Sequence, residues 1–179
     1  MYDTNEKRET LRGLTGLAVL VEEVSRDLER AGLSRSQLQT DAELRLRKAG
    51  IRVLTPEEAL ATAGGPFLYI NVSGGRVRSE DGFLFHGSLL GYGVCIRVSL
   101  HQEVRLARDP AVTAYDAETW SSDGILQMVD VSSLRLIRES VADQVDQFIN
   151  AYLAVNSGRT PVQASTPEPT RLPRKDKRR

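Results

Sequence analysis

Any chemistry in this chain has to come from few residues. It contains two histidines, His86 and His101, and one cysteine, Cys95. Cys95 and His101 are the first nucleophile–base pair to consider, because a thiol needs a nearby base to activate it. They share parity on one predicted strand but stand six residues apart, about 20 Å at the strand rise and out of hydrogen-bond reach. His86 and His101 facing each other across a hairpin would offer two nitrogen ligands, and a zinc site needs a third from the protein. Asp116 and Glu118 alternate with Trp120 on one predicted strand face. Paired carboxylates beside an aromatic are the tools of glycosidases, although any polar strand face yields the same spacing. Gly87, Gly91 and Gly93 fit neither the dinucleotide fingerprint nor the phosphate loop, and Ser88 falls one position early for a nucleophile elbow. The residues therefore predict no catalytic, cofactor-binding or metal site, and no cofactor. One enzymatic alternative stays open, a small hydrolase or ligand-binding enzyme using His86 and His101 with Asp116 and Glu118.

The elements that would position these side chains are predicted from periodicity. Leu17 to Val21 is a short apolar strand, and 22–32 is a polar connection. A helix over 35–49 is marked at both ends. Ser34 is its cap, with Gln37 three residues later as in a capping box, and Gly50 with Ile51 suits a Schellman stop. Leu38, Ala42, Leu46 and Ala49 form its apolar stripe. Ile51–Leu54 is predicted as a second strand, which makes a β-α-β crossover. Thr55 and Pro56 open a short second helix.

An antiparallel meander follows. Phe67–Val72 is a central strand, Gly74-Gly75 a turn, and 76–82 a polar loop. From Tyr92 the alternation is strict. Tyr92, Val94, Ile96, Val98, Leu100, Val104 and Leu106 point one way, with Gln102 the one polar member among them, while Arg97, Ser99, His101, Glu103 and Arg105 make a wet face on the other. Asp109-Pro110 ends that strand, 112–121 is another, and 125–129 is ambiguous. A last helix over 132–155 carries Leu134, Ile137, Val141, Val145, Phe148, Tyr152 and Val155 on one stripe. The predicted fold is α+β: a mixed sheet from one β-α-β unit plus an antiparallel meander, covered by two main helices (35–49 and 132–155).

The bulk numbers agree with one domain over 11–156, after a flexible start (1–10). From Ser157 the composition turns to Pro, Ser and Thr and then to seven Lys/Arg against two Asp/Glu; positions 1–156 hold 17 basic and 22 acidic residues. A tail of that kind cannot build a core and is expected to be disordered. Its basic end keeps open a second alternative, a nucleic-acid accessory protein acting through the tail, with nucleic acid or an anionic surface as partner; the acidic domain itself suggests neither. One cysteine excludes an intrachain disulfide. The polar opening residues lack the apolar stretch of a signal peptide. This points to the cytoplasm as the sequence stands, and to the periplasm or envelope if the start is processed or truncated.

Three segments carry a resemblance: Leu44–Leu54 with Thr55-Pro56-Glu57-Glu58, Thr119-Trp120-Ser121, and Val145–Asn156. Together they resemble a family of small bacterial proteins without an assigned activity, along about Leu11–Asn156, whose members usually begin with a secretion signal. More loosely, the element order is similar to the CsgG and TolB N-terminal α/β domains and to outer-membrane lipoprotein activators of peptidoglycan synthases. That resemblance implies a non-catalytic binding module of the cell envelope with another protein as partner. Arg97, Ser99, His101, Glu103 and Arg105 are then the candidate interaction face.

Overall fold

The computed structural model describes residues 4–79, 88–130 and 132–157; His86 and the chain from 158 onward lie outside them. Element order is α1 (Asn5–Glu9), β1 (Ala18–Val21), α2 (Arg26–Arg30), α3 (Arg35–Lys48), α4 (Pro56–Ala61), β2 (Phe67–Arg78), β3 (Leu89–Leu106), β4 (Asp109–Ser121), β5 (Ile125–Val129) and α5 (Arg135–Asn156). This is the predicted α+β class. β1 and β2 pair in parallel, β2 and β3 antiparallel, and both β4 and β5 pair antiparallel with β3. β4 takes the Ser99–Leu106 stretch of β3, and β5 takes Tyr92–Ile96 along the same edge.

The first main helix ends as its sequence dictates. The Ser34 hydroxyl accepts from the Gln37 amide at 3.4 Å. At the other end Gly50 has φ of +78°, and the Ile51 and Gly50 amides donate to the Leu46 and Arg47 carbonyls, which closes a Schellman motif. The reciprocal capping box is found at α4 instead, between Thr55 and Glu58.

Several expectations are corrected. Ile51–Leu54 is not a strand: it touches the sheet only through a parallel bridge between Leu17 and Val53. Ile51 is used by the Schellman stop and Thr55 by the next cap, so too few residues remain for a ladder. The connection 22–32 contains α2, which buries Leu28. Residues 5–9 are helical, and the Thr10 hydroxyl reaches the Thr119 carbonyl at 3.2 Å. Gly74-Gly75 does not turn, since β2 runs through it to Arg78. A Cβ on Gly74 would lie 2.3 Å from the Gly93 carbonyl oxygen, so glycine there serves a close backbone approach. Asp109-Pro110 opens β4 rather than closing β3, and 125–129 is strand β5.

α3 and α5 cover one face of the sheet. Their buried Leu38, Ala42, Leu46, Ile137, Val141, Val145 and Phe148 pack with Leu68, Ile70, Val94, Ile96, Val98, Leu100 and Trp120. Trp120 meets Phe148 edge-on at 5.2 Å between centroids. One buried residue of α5 is polar. Gln144 donates to the Ile96 carbonyl at 3.3 Å and accepts from the Ser122 hydroxyl, at the seam where β4 gives way to β5. Ser122 also accepts from the Val98 amide at 3.2 Å.

Among the described residues the opposite face is covered at one end only, where Ala59 of α4 packs on Ala18, Leu54 and Phe67. No described helix is long and apolar enough to cross a membrane.

Candidate functional site on the open sheet face

Strand pairing lays the back-face residues out in rows. Tyr69, Ser99 and Ser121 make one row, and Phe67, His101 and Glu118 the next. In the other direction lie Asn71 with Arg97, then Ser73, Cys95 and Leu126, then Gly75, Gly93 and Met128. Three of the predicted face residues, Arg97, Ser99 and His101, therefore sit over the sheet. Glu103 and Arg105 lie past Phe67, the first residue of β2, on the β3–β4 hairpin.

His101 is the centre of this face. Its Nδ1 is 2.5 Å from Asp116 Oδ1, and its Nε2 is 3.0 Å from the Ser99 hydroxyl. The ring stacks on Phe67 at 5.3 Å and meets Tyr69 edge-on at 5.4 Å. Beside it Arg97 donates to both oxygens of Glu118, at 2.7 and 2.8 Å. The order Ser–His–Asp is that of an acyl-transfer triad, in which a hydroxyl donates to one imidazole nitrogen and a carboxylate holds the other.

The sequence reading grouped Asp116 and Glu118 with Trp120, and the structure separates them. Trp120 pairs with Leu100 and Glu118 with His101, so Thr119 is an extra residue in β4. A bulge of this kind reverses parity. Trp120 therefore points into the core while Glu118 reaches Arg97 on the back face. The two acids hold different partners and do not form a carboxylate pair. Cys95 and His101 remain six residues apart on continuous β3, with Cys95 exposed. Ser99 is a second correction, because only 1% of it is exposed although it lies on the predicted wet face. Tyr69 and Ser121 beside it in the row leave it no access to solvent.

No protein-family model matches the sequence, and no curated protein matches it at a significant level. Function has to be argued from geometry.

A working triad needs an exposed nucleophile and donors aimed at a developing oxyanion. The Ser99 hydroxyl is enclosed, and the clefts between α3 and α5 and beside Thr10 and Arg12 are lined by other parts of the chain. Among the described residues no three His, Cys, Asp or Glu side chains are grouped to hold a metal ion. The open face has instead an apolar end that the sequence did not mark. Leu126 is 83% exposed and Met128 60%, with Gly75 and Gly93 forming a flat floor beside Met128. The signal was present as Leu126 and Met128 alternating with Ile125, Gln127 and Val129. Apolar residues on both parities hid which face was buried.

Proposed function

We propose that the chain is a non-catalytic interaction module whose protein partner docks on the open face of the sheet. The observation that carries this reading is the exposure of Leu126 and Met128 side by side, next to the Arg97–Glu118 ion pair. An apolar centre bordered by charge is how a protein interface is built, and adjacent exposed large apolar side chains on a sheet face mark such sites. The resemblance of the predicted element order to envelope α/β binding domains supports a partner in the bacterial envelope, as fold-level analogy alone.

Cys95 lies beside Leu126 and reports on docking. Its maleimide labelling should be slower in the cells that make the protein than in the purified chain. Leu126→Asp with Met128→Asp should restore the rate in cells to that of the purified variant. Equal labelling of wild type in both settings would sink the proposal.

The Ser99–His101–Asp116 chain supports a second reading, a small serine hydrolase. A fluorophosphonate probe decides between the two. The module reading expects no adduct, whereas an adduct lost in Ser99→Ala would put the hydrolase in its place.

A further inference from the structure

We propose that the cleft between α3 and α5 binds a small polyphosphate anion. This cleft lies on the helical side, away from the open face. It has a volume of about 460 Å³ and is lined by Asp41, Leu44, Arg45, Lys48, Arg135, Arg138, Glu139 and Ala142, within the size range of ligand sites. The spacing is regular. Residues 41, 44, 45 and 48 form one face of α3, and 135, 138, 139 and 142 one face of α5. Each face runs about 10 Å along its helix, long enough to meet more than one phosphate.

Four of the lining residues are basic and two acidic, in a chain whose positions 1–156 hold 17 basic and 22 acidic residues. The cleft is a positive site in an acidic domain. Its carboxylates hold guanidinium groups in place. Arg138 bonds Asp41 at 2.6 and 3.1 Å, and Arg135 bonds Glu139 at 2.9 Å. Arg45 bonds Asp146, just outside the lining, at 2.6 Å. A guanidinium carries five donors, and these contacts use one or two of each. Lys48 has no ion-pair partner among the described residues. Arg135 is the first residue of α5, where the helix dipole adds positive potential. Forked donors, a point charge and a helix start suit phosphate oxygens. Leu44 and Ala142 give a short apolar wall, against which an organic group on the phosphates would lie.

Calorimetric titration of the full chain in magnesium-free buffer tests this, with inorganic tripolyphosphate in one arm and ATP in the other. Binding of tripolyphosphate is expected and should weaken as salt rises. Tighter binding of ATP would assign an organic ligand, and equal binding an inorganic one. Lys48→Gln and Arg135→Gln should each weaken binding about tenfold, as loss of one charge-assisted hydrogen bond does, with unchanged melting temperature. Arg30→Gln, on α2 away from the cleft, should change nothing. Absence of binding at millimolar tripolyphosphate, or binding unaltered in the Lys48→Gln/Arg135→Gln double variant, would overturn the proposal.

Discussion

Replacing Gln144 by leucine tests whether the polar seam under α5 holds the sheet together. The side chain is fully buried and has two partners, the Ile96 carbonyl and the Ser122 hydroxyl. Leucine is close in volume, so the cavity contribution is small and the cost comes from the stranded polar groups. The Ile96 carbonyl loses a donor inside the core, at about 1–3 kcal/mol. The Ser122 hydroxyl has one proton and can turn to the Val98 carbonyl, 3.1 Å away, so its loss is smaller. Gln144→Leu should therefore cost about 2–3 kcal/mol, a shift of roughly 1 M or more in the urea midpoint.

Ser122→Ala strands the Val98 amide and the Gln144 carbonyl, and its cost should be similar. In the double variant the Gln144 carbonyl is no longer left unpaired. Its cost should fall short of the sum by about 1 kcal/mol, the size expected for groups in one network. Urea titrations of the four proteins measure this cycle. Strict additivity, or a loss below about 0.5 kcal/mol for Gln144→Leu, would refute the idea that α5 supplies the hydrogen bonds at this junction.

Other substitutions probe separate features. Phe148→Ala should cost about 3–5 kcal/mol in thermal or urea unfolding, because the ring is buried against Trp120. Gly74→Ala should destabilise clearly, since its Cβ would sit 2.3 Å from a backbone oxygen. Gly93→Ala, whose Cβ meets only side-chain atoms at 3.5 and 3.8 Å, should be tolerated, and equal melting points for the two would contradict the close approach. The Glu58 carboxyl is held below its ordinary value of 4.5 by the Thr55 amide first and the Arg52 side chain next. A depressed carboxylate contributes stability that is present above its unfolded pKa and lost as pH falls through the folded one. Glu58→Gln should accordingly flatten the acid side of the stability–pH profile while changing its slope near neutrality little.

What the sequence disclosed depended on whether a signal was local. Both ends of α3 could be read from Ser34 and from Gly50-Ile51, and the α5 stripe from Ile137 to Phe148, because caps and periodicity involve neighbours in the chain. Gly32-Leu33 carries the same stop signature as Gly50-Ile51, with the Leu33 amide on the Leu28 carbonyl. It closes α2, a helix too short for a periodic pattern to announce. Bulges were illegible, since nothing in Thr119 itself says that Trp120 and Glu118 face opposite ways. The site suffered from the same blindness. Ser99 and His101 share parity and could have been joined, but Asp116 reaches His101 only through the altered register of β4. Gln144 lies on the buried side of α5, and its polar type gives no sign of burial, although a buried amide is what an interrupted ladder needs.

β3 is hydrogen-bonded along one edge by β2 and along the other first by β5 and then by β4. No other described strand holds more than two neighbours. Each of the β3 amides is bonded on one edge only, so those facing β2 should be freed only when the central β2–β3 pair opens and should be the best protected, while those facing β5 or β4 can be freed by release of that strand alone. β1 touches the sheet through β2 alone over four residues and can detach while the meander persists. Between residue 21 and residue 67 the chain wanders through three helices before the parallel pair closes, a long loop whose entropy must be overcome late. Assembly should accordingly run outward from the β2–β3–β4 core, with the N-terminal crossover the last part to lock and the first to let go.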